Sequence, residues 1–261
     1  MKLVIFAGGY GTRLAELTSE LPKPLVTVGD RPIIWHIMKY YSTFGINDFI
    51  ILGGYKVQKI ADFFQNFTSE LFDIEICTVS RETTYHSKNT DEWTIRIIDT
   101  GLDTLTGSRL NKAKHALVDE EEFFLTYGDG LSDVDLNALR SCHQANNNRV
   151  TLTSVTPPAR YGMLQNNSRN QQVISFNEKP TKNSDKINGG FFVVSQEIFD
   201  EQYNEKNTVW ERDILTRLSK KNQLGYYQHN GFWYSMDTLR EKEHLEKLWR
   251  SDNCPWKVWE T

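Results

Sequence analysis

A chain of 261 residues is long enough to bury a sizeable core as one large domain. Its 39% hydrophobic and 25% charged residues exclude disordered and fibrous classes, and a net charge of -4 leaves no basic surface for wrapping a nucleic acid. Three cysteines without C-x-x-C spacing read as reduced thiols in a cytoplasmic protein, and no apolar stretch approaches the length needed to span a membrane.

In chain order, Lys2 to Ala7 reads as a first strand. "PIIWHIMKYYSTFG" follows as a helix with Ile33, Ile34, Ile37, Met38 and Tyr41 on one face, Pro32 in its first turn and Gly45 at its stop. "DFIIL" is a second strand and "KVQKIADFFQNF" a second helix. "DIEICTV", "TIRIIDT" and "EFFLTYGDG" continue as strands, with a helix expected over 109–117 and the strand before "GDG" buried and central. After a helix over 135–145 the pattern changes to neighbouring strands, "RVTLTSV", "QQVISFNEKP" and "INGGFFVV". A helix near 209–218, the strand region "GYYQHNGFWYSM" and a helix over 238–249 complete the chain. The strand–helix alternation predicts βαβ units. No linker separates the halves, so the expectation is one α/β domain: a Rossmann-like, three-layer fold whose central sheet is mixed but mainly parallel, with an added antiparallel portion.

"AGGYGTRL" after the first strand resembles two known phosphate loops and satisfies neither. The dinucleotide fingerprint lacks its third glycine, because Leu14 stands there, and its acidic ribose ligand is missing where the second strand ends at Leu52 and Gly53. The P-loop lacks its lysine after the glycines. What remains is a loop whose amides can approach phosphates, with Arg13 as a forked donor and Lys23 held between Pro22 and Pro24. A plain turn at Gly8, Gly9 and Gly11 and a solvated lysine are the competing readings.

Asp129 stands at a strand's carboxyl end, where open α/β sheets gather ligands and where an aspartate suits magnesium and phosphate oxygens. An Asp-Gly turn explains the same residues. Asp237 reads as a helix N-cap or a metal ligand. Because Thr238 and Glu241 have capping-box spacing, Thr238 can cap the helix and leave Asp237 free. Glu178, Lys179, Asn188 and Gly190 are either surface and turn residues or a site for sugar hydroxyls and a sugar phosphate. The six histidines show no metal-ligand spacing.

Taken together, "AGGYGTRL", "LPKPL", "DTGLDTLTGSRL", "TYGDG", "FNEKP", "INGGFFVV" and "GFWYSMDTLREKEHLEKLW" resemble the sugar nucleotidyltransferases over nearly the whole chain. The resemblance implies a nucleotide site of Phe6, Ala7, Gly8, Gly9, Tyr10, Gly11, Thr12, Arg13, Lys23, Thr104, Arg109 and Gly128, in a nucleotide-binding half of about 1–145. It implies a sugar-phosphate site of Glu178, Lys179, Asn188 and Gly190 in a half of about 146–261, magnesium on Asp129 and Asp237, and catalysis by Arg13, Lys23, Asp129 and Lys179.

The reaction implied joins CTP to α-D-glucose 1-phosphate, giving CDP-glucose and pyrophosphate by one in-line displacement. No general base is needed, because a phosphate monoester with a second pKa of about 6 is already largely ionised at neutral pH. Alternatives are another nucleotide or sugar 1-phosphate, a glycosyltransferase, or a nucleotide-sugar-binding subunit without turnover. A homo-oligomer and a role in surface polysaccharide synthesis come with the same resemblance. Thr27, Ser108, "RYGML" and "WERDIL" depart from the family's usual pattern.

Overall fold

The computed structural model describes residues 1–70, 72–87, 92–157, 163–167, 172–177, 186–201, 203 and 207–259, with backbone alone at 68–70, 72–74, 85–87, 163–167 and 172–177. Four parallel strands form the heart of the main sheet: β1 (Leu3–Ala7), β2 (Asp48–Gly53), β3 (Thr94–Asp99) and β4 (Glu122–Tyr127). β4 and β2 flank β1, and β3 lies outside β2. The chain therefore runs outward from β1 and returns to its other side at β4. This reversal opens the crevice in which α/β sheets hold ligands.

The second half extends the sheet beyond β4. After a short β5 (Gly130–Ser132), β6 (Val150–Val155) pairs antiparallel with both β7 (Ile187–Asn188) and β8 (Phe192–Ser195), and parallel with β9 (Leu224–Gln228). β8 in turn pairs antiparallel with β4, placing β4 inside the sheet as the sequence predicts. β7 and β8 are one interrupted strand along the edge of β6, and Gly190 breaks it with a φ of 75°. β5 pairs instead with β10 (Trp233–Ser235) in a separate antiparallel ribbon.

Alternation along β1 defines the layers. Leu3, Ile5 and Ala7 face one core cluster, with α1 (Ile33–Ser42) and α2 (Val57–Glu70) packed over it. Val4 and Phe6 face a second cluster, covered by α3 (Thr106–Lys112) and the segment around Trp210 and Ile214. Leu3, Val4 and Ile5 are wholly buried, which at about 1.5–3 kcal/mol each makes this strand a major apolar contribution to the core. The three cysteines are free thiols. Among the described residues, no helix is long and apolar enough to cross a membrane.

Several elements differ from the sequence reading. The helix expected over 109–117 starts three residues earlier at Thr106, because Gly107 lets its first turn pack against Thr208, and it tightens into a 3-10 turn at Lys114–Ala116. The helix near 209–218 is a π-helical turn, Trp210–Leu215, followed by α-helix α5, Thr216–Lys220, after α4 (Leu136–Asn146). Strands at Thr27–Val28, Glu82–Ser87 and Met163–Asn167 have no counterpart in that reading, being too short or too polar to show strand alternation, and Pro32, expected in the helix's first turn, instead ends the strand Arg31–Pro32 in extended backbone and caps a helix that starts at Ile33.

His36 on α1 is buried and carries a pH signature. Its Nε2 donates to Val28 O at 2.8 Å and its Nδ1 accepts from Trp256 Nε1 at 3.4 Å, which fixes a neutral ring. Burial lowers its pKa from 6.5 to about 4. The unfolded chain therefore takes up a proton that the folded one refuses. Stability from this residue is full above pH 6.5 and falls as pH drops toward 4, by up to about 3 kcal/mol. Urea melts across that range should show a slope that His36→Gln lacks.

Candidate active site

The carboxyl ends of the parallel strands open onto a cavity of about 590 Å³. One wall is the loop after β1, from Phe6 through Arg13; the floor is Lys23, Pro24, Gly128, Asp129 and Asp237; the opposite wall is Leu102 to Thr106 with Arg109. Every residue expected to touch a nucleotide borders this cavity, as do both aspartates. Tyr127, Val209 and Glu211 also line it, and the family motifs assign none of them to the site.

Two distant aspartates meet because of the β5–β10 ribbon. Gly130 pairs with Ser235, and Met236 N donates to Asp129 O at 2.9 Å, so the two carboxylates flank the ribbon's end. The capping box at the start of α6 (Leu239–Trp249) then fixes the backbone on the far side: Glu241 Oε2 accepts from Asp237 N at 2.7 Å and Thr238 N at 2.9 Å. Asp237 thus lies outside the helix with its carboxylate free for other work.

Lys23 joins them. Its Nζ donates to Asp129 Oδ2 at 2.5 Å and to Asp237 Oδ1 at 2.8 Å, while Arg13 Nη1 lies 3.5 Å from Asp237 Oδ2. Burial disfavours both charges, yet for Asp237 the nearby Lys23 and Arg13 outweigh it and hold the carboxyl below its ordinary range. For Lys23 the same burial is outweighed by Asp129 and Asp237, which raise its pKa. Arg13 remains largely exposed and aimed at the cavity mouth.

Arg109 takes a different position from the other cations. Its guanidinium is buried and donates to Gly53 O at 3.0 Å, Gly101 O at 2.8 Å, Gly8 O at 3.0 Å and Leu102 O at 3.0 Å, as well as to the Thr100 hydroxyl. It ties the ends of β1, β2 and β3 together beneath the cavity. Gly8 and Gly54 make room for it: a Cβ on either would lie 2.3 Å from a guanidinium atom. Gly8→Ala should therefore cost about 1–3 kcal/mol in a urea melt, while Gly9→Ala, which meets nothing within 4 Å, should cost far less.

Of the residues expected to hold the sugar phosphate, Glu178 and Lys179 lie outside the described residues. Asn188 and Gly190 reach the cavity through Tyr127: Asn188 Nδ2 donates to Tyr127 Oη at 3.2 Å, and Asn188 Oδ1 accepts from Gly190 N at 2.9 Å. A Cβ on Gly190 would sit 2.9 Å from the Tyr127 ring. Across the mouth, Tyr10 Oη donates to Asp103 Oδ1 at 2.9 Å, so the glycine loop and the Leu102–Thr106 wall are linked. Thr104 donates to Thr100 O at 2.6 Å.

A glycine loop, an ammonium between two converging carboxylates and a strand-end cavity on a mixed sheet define a class. The chain belongs to the nucleotidyl transferase family, whose model matches residues 2–241. More particularly, it is 44% identical over the full length of both chains to the glucose-1-phosphate cytidylyltransferase of Salmonella typhimurium. It is 39% identical, over 99% of this chain and 100% of the other, to a probable glucose-1-phosphate cytidylyltransferase of Bacillus subtilis. The fold is shared with the structure of HddC from Yersinia pseudotuberculosis complexed with GMP-PN, at a TM-score of 0.68 and 20% identity over 95% of this chain and 99% of that one.

Proposed function

We propose that this chain transfers a cytidylyl group from CTP to α-D-glucose 1-phosphate, releasing pyrophosphate and CDP-glucose. The observation that carries the reading is the meeting of Lys23, Asp129 and Asp237 on the cavity floor. The full-length relatives of that activity support the choice of base and sugar.

The reaction brings two polyanions together, so most of the barrier is electrostatic and positional. The amides of the Gly8–Gly11 loop and the Arg13 guanidinium face the triphosphate from one side, and Lys23 faces it from the floor. Lys179, in the motif "FNEKP", is the cation for the incoming sugar phosphate, with Glu178 and Asn188 for its hydroxyls. The attacking phosphate oxygen is already ionised at neutral pH, which fits a site built of cations and carboxylates without a histidine.

Asp129 and Asp237 fit magnesium. Their oxygens converge on a single point, now an ammonium nitrogen, and an oxygen-only pair leaves the remaining positions for phosphate oxygens and water. When bound there, the ion supplies positive charge to the phosphates during displacement. Cytoplasmic location and assembly into a homo-oligomer belong to the same reading.

Pyrophosphate release is measured across four nucleoside triphosphates and several sugar 1-phosphates, with and without magnesium. CTP with glucose 1-phosphate should lead by a wide margin. Binding without release would indicate a non-catalytic subunit, and release of free nucleotide from CDP-glucose instead would indicate a glycosyltransferase.

A further inference from the structure

A directed chain of hydrogen bonds ends on Glu211 in the lining of the cavity. Gly190 N donates to Asn188 Oδ1, Asn188 Nδ2 donates to Tyr127 Oη, and Tyr127 donates to Glu211 Oε1 at 2.5 Å. From the other wall, Thr106 Oγ1 donates to Glu211 Oε2 at 3.2 Å. Burial, reinforced by the Glu211 charge, raises the Tyr127 pKa, so its proton stays in place and the chain has one direction.

Glu211 is held with little freedom. It follows Trp210, which is wholly buried in the core, and both lie on a π-helical turn, a geometry found often at functional sites. A carboxylate offers about four acceptor positions, and the described partners use one on each oxygen. Glu211 borders the cavity, so the unused acceptors have substrate within reach. Phosphate oxygens would be repelled there, leaving an uncharged donor as the complementary group.

We propose that Glu211 is a specificity-determining residue that accepts a hydrogen bond from a sugar hydroxyl of the bound substrates, with Tyr127 and Thr106 positioning its carboxylate. This rests on the reading of the site as one that joins a nucleotide to a sugar 1-phosphate. The donor belongs either to the ribose of the nucleotide or to the hexose, two sources with one chemistry. Tyr127 stands at the junction of both sides, linked to Asn188 on one and, through Gly128, next to Asp129 on the other.

Calorimetric binding separates these cases. Wild type and Glu211→Gln are titrated with CTP, 2′-deoxy-CTP, 3′-deoxy-CTP, UTP, glucose 1-phosphate and its singly deoxygenated forms. In the wild type, one deoxy form should bind about tenfold or more weakly than its parent, as loss of a hydrogen bond to a charged group predicts. In Glu211→Gln that gap should close while the other ratios stand, and the analogue affected names the sugar. Tyr127→Phe, with an unchanged melting temperature, should narrow the same gap part of the way. Equal weakening of every ligand would make Glu211 merely structural and overturn the proposal, as would no change at all. Collapse of the CTP-over-UTP ratio would also overturn it, assigning Glu211 to the base. Pyrophosphate release is scored separately: the predicted pattern without product would refute the reaction and keep this inference, and turnover with uniform weakening would do the reverse.

Discussion

Asp129→Asn should lower turnover by about a hundredfold or more, with the protein still folded, because it removes one of the two carboxylates that would hold magnesium against the phosphates and that anchor the Lys23 ammonium. The substitution is nearly isosteric and the side chain is part-exposed, so melting should change little. Its consequence is local: Lys23 loses one of the two carboxylates that raise its pKa and keeps the other. Lys23→Ala should cause a loss of similar size for the opposite reason, leaving Asp129 and Asp237 facing each other with only Arg13 nearby. Steady-state pyrophosphate release on purified variants, with thermal melts as controls, tests both. Near-normal rates in the two folded variants would remove this trio from the reaction.

Arg109→Ala should destabilise the fold by about 3–5 kcal/mol, because it leaves several carbonyls inside without their charged donor. For a chain of this size that corresponds to a fall in melting temperature of roughly 10 °C. Arg109→Lys should rescue little, since a compact ammonium cannot span carbonyls contributed by four separate residues. Nucleotide affinity should fall in the same variants, since Gly8 O and the carbonyls at 101 and 102 lose their shared anchor on both sides of the cavity. An Arg109→Ala protein that melts like the wild type would refute this role.

The family resemblance puts Arg109 among residues touching the nucleotide. Arg109 does border the cavity, and its Nη donors also bind backbone carbonyls and the Thr100 hydroxyl around it. Spacing along a chain cannot distinguish these roles, because the carbonyls that hold it come from three different strand ends.

The parallel strands β1, β2 and β4 were legible because burial on both faces leaves plain apolar runs. The place of Asp237 outside the helix was legible from local chemistry alone, since the capping box at Thr238 and Glu241 forms as the spacing predicts. Glu211 was not. It arrives from a π-helical turn that has no sequence period of its own, and what draws attention to it is a partner, Tyr127, remote in the chain. The strand at Glu82–Ser87 escaped for a simpler reason: its residues are mostly polar, so no alternation marks it.

The ribbon that pairs Gly130 with Ser235 also has a temporal meaning. During synthesis the glycine loop, Lys23 and Asp129 all emerge well before β10, yet the second carboxylate and the hydrogen bond from Met236 to Asp129 come only with the last part of the chain. The acidic pair is therefore a product of completed folding. A nascent chain that has not reached Trp233 has Asp129 but neither the strand that pairs with Gly130 nor Asp237.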